Sequence, residues 1–465
     1  MIILHLKKSS KVEIIMKKLL TFLMVLTFLV SVSVMTTGCG SSEQVGGPTV
    51  LTMWVMPNSL EPINDLVDIL EDFHKNNPDI KVEITSLDWG SAWQRITIAT
   101  MSGEGPDLMQ LGTTWVGAVT SMGALYDMTD RVGEIGGAEH FLPSSWRYSG
   151  IDGTDRVTSI PWFVDARAMY YRTDVFNKLG LTKNDLSTWE SFEKTLAKIK
   201  ASNLEIDGQK VQPLGITGKN DWNVVHNLAP WIWMAGGDFL TEDNKRCDLY
   251  SEEAAEGVSF LVSLVMKGYV PESCLEQNTS QVENGFNNGE YAIIFTGSNE
   301  LRALTTSEEQ GGAANTYVAK RFDLAPYPEG PNGRVTFVGG SNLAIFKNSK
   351  KKDASWEVIK YLTAKKAQVE YSKRSGFMPS AVEAFDDPYF TQDKRRSVYR
   401  EAVKYGRAYP CIPQWAQIEQ PLNRRFGIMW EYVLNNKDQF SYDVIYNDVL
   451  KKAATEVDKV LLMNR

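Results

Sequence analysis

The stretch "VLTMWVMPNSLEPINDLVDILEDFHKNNPDIKVEIT" (Val50–Thr85) changes its hydrophobic period twice. Val50–Met56 is an apolar, β-branched run that stops at Pro57-Asn58, a turn pair. A helix is expected to open near Ser59 with Pro62 in its first turn, since Ile63, Leu66, Val67, Leu70 and Phe73 recur at helical spacing. Asn76-Asn77-Pro78 ends it, and Ile80, Val82 and Ile84 then alternate as in a strand.

The same alternation continues outward. A helix is expected over about Ser91–Met101, and "GEGPDLMQLG" leads into a third strand near Leu108–Leu111. Strand, helix, strand, helix, strand is the order of an α/β unit with a largely parallel sheet. Beyond residue 160 the pattern restarts. "AMYYRTDVF" (Ala168–Phe176) reads as a strand, and "STWESFEKTLAKIKAS" (Ser187–Ser202) as a helix whose Ser187 and Glu190 fit a Ser-x-x-Glu capping box. A helix over 251–267, a strand in "EYAIIFTG" (Glu290–Gly297) and a strand pair or turn in "TFVGGSNLAIF" (Thr336–Phe346) follow. Lys351–Gly376 is helical with an expected break at Thr363–Lys365. Periodicity alone gives two or three α/β units.

The N-terminal stretch has a different character. Met16-Lys17-Lys18 is a short positive start, and Leu19–Met35 carries no charge. That is the apolar region of a secretory signal, with Met16 the expected start, and Thr36-Thr37-Gly38 supplies small residues for cleavage. As a helix the run would be roughly 25 Å long, short of a hydrocarbon core of roughly 30 Å. "TTGC" resembles a bacterial lipobox, although Thr36 stands where that motif usually has Leu, Val or Ile. Cys39 is therefore expected to be the lipidated first residue of the mature chain, held by acyl chains worth ~0.8 kcal/mol per buried CH₂. Residues 40–48, rich in Gly and Ser, read as its flexible leash. The alternative is an ordinary secreted protein with an incidental cysteine.

Removing residues 1–38 takes away five lysines and one glutamate, leaving 44 basic and 56 acidic residues and a formal charge of −12. An acidic chain without a basic stripe is a poor nucleic-acid binder. Cys247 and Cys274 could pair in an oxidising compartment, leaving Cys411 over, but three free thiols are the favoured reading. No Cys-x-x-Cys, His-Glu-x-x-His, Gly-x-Ser-x-Gly or phosphate loop occurs, so no metal, cofactor or nucleophilic catalysis is expected. "GITGKN" at Gly215 is read as a turn.

Four segments in order carry a resemblance. They are Met101–Asp130 with "GEGPDLMQLG", Ile160–Leu181 with "IPWFVDARAMYYRTDVF", Asn287–Glu300 with "GEYAIIFTGSNE", and Phe337–Ser380 with "FVGGSNLAIF". Together the chain resembles the extracellular solute-binding proteins of ABC importers, the family that includes the maltose- and oligosaccharide-binding proteins. The resemblance implies the two-lobed periplasmic-binding-protein fold of type II. Each lobe is then a mainly parallel sheet flanked by helices, the lobes joined by a hinge of crossing segments, with the ligand in the cleft between. One lobe would hold about 49–162 and 328–360, the other about 166–325 and 363–465. It also implies a monomer without cofactor or catalytic activity, working with membrane permease subunits and, through them, a cytoplasmic ATPase. One departure is visible: Asn299 follows Gly297-Ser298, where the family often places a Trp that stacks on sugar.

A sugar offers a weakly apolar C–H face and a rim of hydroxyls, so rings and charged or amide groups just past strand ends are the candidates. These are Trp54 and Asn58; Trp89 and Trp93, four apart; Thr113, Thr114 and Trp115; Asp165 and Arg167 in the crossing; Trp222 and Trp231; Ser298; and Gly340 with Ser341. Trp189 and Trp356 are read as core, Trp231 and Trp233 as split between core and pocket, and Asp165 and Arg167 equally as a pair within the hinge. The expected function is capture of an oligosaccharide by a lipid-anchored binding protein at the extracellular face of the membrane. The alternatives are a surface glycoside hydrolase and the ligand-sensing module of a signalling receptor.

Overall fold

The computed structural model describes residues 47–219, 221–437 and 441–463, so Cys39 and the apolar run before it lie outside the described residues. From Pro48 onward the chain coheres as one unit. Its strands are β1 (Thr49–Val55), β2 (Ile80–Ser86), β3 (Leu108–Gly112), β4 (Ile160–Arg172), a small hairpin of β5 (Glu205–Ile206) and β6 (Gln209–Lys210), β7 (Gln212–Gly215), β8 (Tyr291–Gly297), β9 (Phe322–Ala325), β10 (Thr336–Ile345), β11 (Met378–Pro379) and β12 (Gly406–Arg407). The main sheet runs β2-β1-β3-β10-β4-β8-β7.

The opening stretch folds as its periods require. β1 turns Leu51, Met53 and Val55 inward and pairs in parallel with β2 and β3. Pro62 sits at the start of the helix Pro62–Ile69, where its missing N–H costs nothing, and a second short helix, Glu71–Asn76, completes the crossover. Leu66, Ile69, Leu70 and Phe73 then pack with Trp356 and Ile359 of the helix Lys352–Thr363 in the first core. A larger core beyond β4 gathers Met169, Phe192, Trp231, Ile232 and Leu261.

Several boundaries differ from the sequence reading. β4 covers Ile160–Arg172 with all but Asp165 buried, and Thr173–Leu179 is a helix rather than the end of the strand. A strand buried on both faces shows no alternation, which hid its true length. "TFVGGSNLAI" is one strand, not a pair: β10 lies antiparallel to both β3 and β4 and slips register between Ser341 and Asn342. The helix Trp189–Ser202 is capped by Thr188 with Ser191, one residue later than Ser187 with Glu190. The break in the late helical stretch falls at Ala364, between Lys352–Thr363 and Lys365–Ser375. Cys247, Cys274 and Cys411 are free thiols.

Candidate functional site

Strand directions determine where the site lies. β1, β2 and β3 are parallel, so Met56–Asn58, Leu87–Trp89 and Gly112–Trp115 emerge at one edge, their carboxyl ends. β10 runs against β3 and β4 runs against β10, so β4 leaves the first set of strands at that same edge. Its far half then pairs antiparallel with β8, Arg167 opposite Gly297, and β8 is parallel to β7. The carboxyl ends of β7 and β8 therefore point back toward the crossing. Two carboxyl edges face each other across Asp165–Arg167, the kind of place where open α/β sheets bind ligands.

On the first edge stand four half-buried indoles. Asp88 caps the helix Trp89–Ser102 by accepting from Gly90 N at 2.9 Å, which presents Trp89 and Trp93 one turn apart. Trp115, in the first turn of the helix Thr113–Ser121, meets Trp89 at 5.5 Å and Trp93 at 5.6 Å between ring centroids, tilted 59° and 48°. Trp54 of β1 packs against the same two small buried clusters as these rings. Beneath them Gln110, fully buried in β3, accepts from Met56 N and Asn58 Nδ2, each at 2.9 Å, and donates to Ser341 Oγ at 2.8 Å. Sequence reasoning missed Gln110. Its signal was there: a lone amide in an otherwise apolar strand.

The second edge is polar. Arg167 Nη2 donates to Asn223 Oδ1 at 2.6 Å, its Nη1 donates to Asn227 Oδ1, and its guanidinium lies over the Phe337 ring. Both Asn223 and Asn227 went unnoticed in the sequence. With Arg167 committed to two amides, Asp165 is left with Oδ1 buried and without a hydrogen-bond partner, beside Gly297 and Asn299. Burial raises the Asp165 pKa, and the nearby Arg167 charge opposes the rise. Ser298 Oγ and Glu300 Oε1 are likewise buried and unpartnered. Burial pushes Glu283, which accepts from Thr296 Oγ1, up to about 7, and pushes its neighbour Glu300 well above its usual range.

The other candidates divide. Trp222, 67% exposed at the head of the helix Val224–Ala235, lies edge-on to His226. Trp231 is 2% exposed and enclosed by Trp189, Phe260, Phe295 and Tyr327, so it is a core residue with no face for a ligand. Trp189, Trp233 and Trp356 are core as well. Gly340 (φ +133°) is explained by its neighbour strand: a Cβ there would lie 2.2 Å from Phe163 O, so the close approach is to β4 rather than to a ligand. Thr113 is buried near Gly339, and Thr114 lies near enough to the part-buried Glu419 to lower its pKa, a partner the sequence did not suggest.

Two open concavities, of about 970 Å³ beside Tyr389 and Arg395 and about 600 Å³ beside Trp189 and Glu256, share no residue with these edges. In the first, Arg395 and Arg396 are already paired with Asp393. Among the described residues no group of three or more His, Cys, Asp or Glu is placed to hold a metal ion, and no helix is long and apolar enough to cross a membrane.

Residues 61–369 match the family model described as bacterial extracellular solute-binding protein. The chain belongs to this family. The solute-binding protein is 26% identical over 382 residues to the diacetylchitobiose binding protein DasA of Streptomyces coelicolor, covering 80% of this chain and 82% of that one. It is also 26% identical over 357 residues to a putative binding protein of Brucella abortus, covering 76% and 81%. Among solved structures it superposes on the sugar-binding protein MalE of Xanthomonas citri with a TM-score of 0.74 at 24% identity, covering 90% of this chain and 98% of that one. Maltose-bound MalE3 of T. maritima gives 0.71 at 22% identity, covering 90% and 100%. The solute-binding protein thus has the two-lobed fold.

Proposed function

We propose that this solute-binding protein captures an oligosaccharide between its two carboxyl edges and delivers it to the permease of an ABC importer. The observation that carries the reading is the arrangement at the crossing. Four half-exposed indoles offer flat apolar faces on one side, and Asp165, with a buried oxygen lacking a donor, offers hydrogen-bond capacity on the other. Rings suit the C–H face of a pyranose, and a carboxylate accepting from a hydroxyl forms one of the stronger hydrogen bonds, ~1.5–3 kcal/mol. The diacetylchitobiose and maltose named for its relatives point to the same ligand class.

In this reading Trp54, Asn58, Trp89, Trp93, Trp115, Asp165, Trp222 and Ser298 contact the ligand, while Arg167, Thr113, Thr114, Gly340 and Ser341 build the walls. Residues 49–162 with 328–360 form one lobe and 166–325 with 363–465 the other. Cys39, lipidated, tethers a monomer to the outer face of the cell membrane, and the protein performs no chemistry on its ligand. Calorimetric titration with a panel of mono- and oligosaccharides tests the assignment. A dissociation constant near 1 μM, about −8.2 kcal/mol, is expected for the matching sugar. Binding to a peptide or polyamine with no response to any sugar overturns it. Metabolic labelling with palmitate, lost on Cys39→Ala, tests the anchor.

A further inference from the structure

The two edges are joined by more than the crossing strands. The helix Trp415–Asn435 packs on both the helix Thr113–Ser121 and the helix Val224–Ala235. Gly117 permits the close approach, because a Cβ there would lie 2.3 Å from Ile412 O in the segment leading into the long helix. One turn into that helix stands Glu419, its side chain 15% exposed. Thr114, adjacent to Trp115, acts on the carboxylate to lower its pKa against the effect of burial, and His226 Nε2 stands 3.2 Å from Glu419 Oε1. Asn423, one turn further on, accepts from Val225 N at 3.3 Å and holds the same face against the second helix.

The 3.2 Å contact with Glu419 and the hydrogen bond with Tyr409 together allow one consistent His226 tautomer while Glu419 is ionised. A carboxylate only accepts, so His226 Nε2 carries the proton directed at it, and Nδ1 must then accept from the Tyr409 hydroxyl at 2.9 Å. His226 is held neutral in this state, since burial and the Arg167 charge both lower its pKa well below the usual value. Its ring stacks on Phe337 at 4.4 Å and meets Trp222 edge-on at 5.8 Å. A continuous chain thus runs Trp115, Thr114, Glu419, His226, Trp222.

We propose that Glu419 is a positioning residue of the ligand cleft, the pin that sets the Trp115 helix of one lobe against the Trp222 helix of the other. The proposal rests on the cleft being the ligand site, and its test needs no ligand. Burial places Glu419 at about 7, so protonation removes one of its acceptor positions near neutral pH and forces the chain to rearrange. The groups facing it do not share that range: Tyr409 is pushed up by burial, and His226 is pushed down. Glu283, also at about 7, faces Arg167, Asp221 and Asp165 instead and serves as the control.

The experiment is fluorine NMR of the ligand-free protein carrying 5-fluorotryptophan, from pH 5.5 to 8.5, with signals assigned by Trp115→Phe and Trp222→Phe. The Trp115 and Trp222 signals are expected to move on one titration curve with a midpoint near 7. Glu419→Gln, close in shape but without the charge change, should flatten both, while Glu283→Gln leaves the shared curve in place. Thr114→Val, which removes only the first link, should uncouple Trp115 and spare Trp222. The idea fails if both signals still titrate in Glu419→Gln, if Glu283→Gln alone abolishes the curve, or if neither signal moves in the wild type. If Glu419→Gln does not fold, the Thr114→Val result decides alone: two signals still titrating together overturn the proposal. Absence of sugar binding in the separate calorimetry would sink the oligosaccharide reading and leave this result standing.

Discussion

Gln110 and Ser341 meet side chain to side chain, 2.8 Å between Nε2 and Oγ, from neighbouring strands that run in opposite directions. The same amide receives Met56 N and Asn58 Nδ2, so one buried residue ties the loop after β1 to β3 and β10 where the first edge opens. Truncating it leaves the buried N–H of Met56 without that acceptor, at ~1–3 kcal/mol, and adds a cavity. Gln110→Ala is expected to lose about 2–4 kcal/mol in urea unfolding. An unchanged midpoint would show that the amide does not organise the edge.

Two tryptophans that look alike in sequence should respond in opposite ways. Trp115→Ala removes the ring that touches both Trp89 and Trp93, and should weaken oligosaccharide binding about 10- to 100-fold, roughly 1.4–2.7 kcal/mol, with little loss of stability. Trp231→Ala empties a core position and should cost about 3–5 kcal/mol of stability while the folded fraction binds normally. Calorimetry beside urea unfolding separates the two effects. Equal losses of affinity in both variants would contradict the division between cleft and core.

This division marks the limit of what was legible in the sequence. The helical and alternating periods of Val50–Thr85 disclose local geometry, so β1, β2 and the crossover between them were readable. Trp89 and Trp115 were readable too, because each lies in the first turn of a helix just past a strand end. Trp231 was not, since it lies in an apolar helix buried all round, where no face is marked as inside. The capping box was off by one because Ser187 with Glu190 and Thr188 with Ser191 both satisfy the spacing. Glu419 gave no signal at all: Thr114 and His226, the partners that give it meaning, come from distant helices.

Glycine substitutions distinguish strain from collision. Gly340 (φ +133°) has Phe163 O 2.2 Å from where a Cβ would sit, whereas Gly123 (φ +71°) has nothing within 4 Å. Gly123→Ala should therefore cost only the left-handed conformation, about 1–2 kcal/mol. Gly340→Ala must also part β10 from β4 at the crossing, and should cost more than about 4 kcal/mol or prevent folding. Thermal unfolding measures both. Similar costs at the two sites would mean that β10 can move away from Phe163 without penalty.

Buried carboxylates set a pH dependence whose sign is testable. Glu419 is raised from 4.5 to about 7 by burial, so the folded protein holds a proton that the unfolded chain has released between those values. Its contribution is fully present below about pH 4.5 and is lost as pH rises through about 7. His226, lowered well below 6.5, acts in the opposite sense, since its contribution is present above 6.5 and is lost on acidification. Comparison with a single variant cancels the opposing groups. Glu419→Gln keeps the shape and cannot ionise, so relative to wild type it should gain stability from pH 5 to pH 8, by up to about 3 kcal/mol for a shift of that size. Urea unfolding at each pH reads the difference. A gap that stays constant across the range would mean that Glu419 reaches water in the folded state and carries no buried charge.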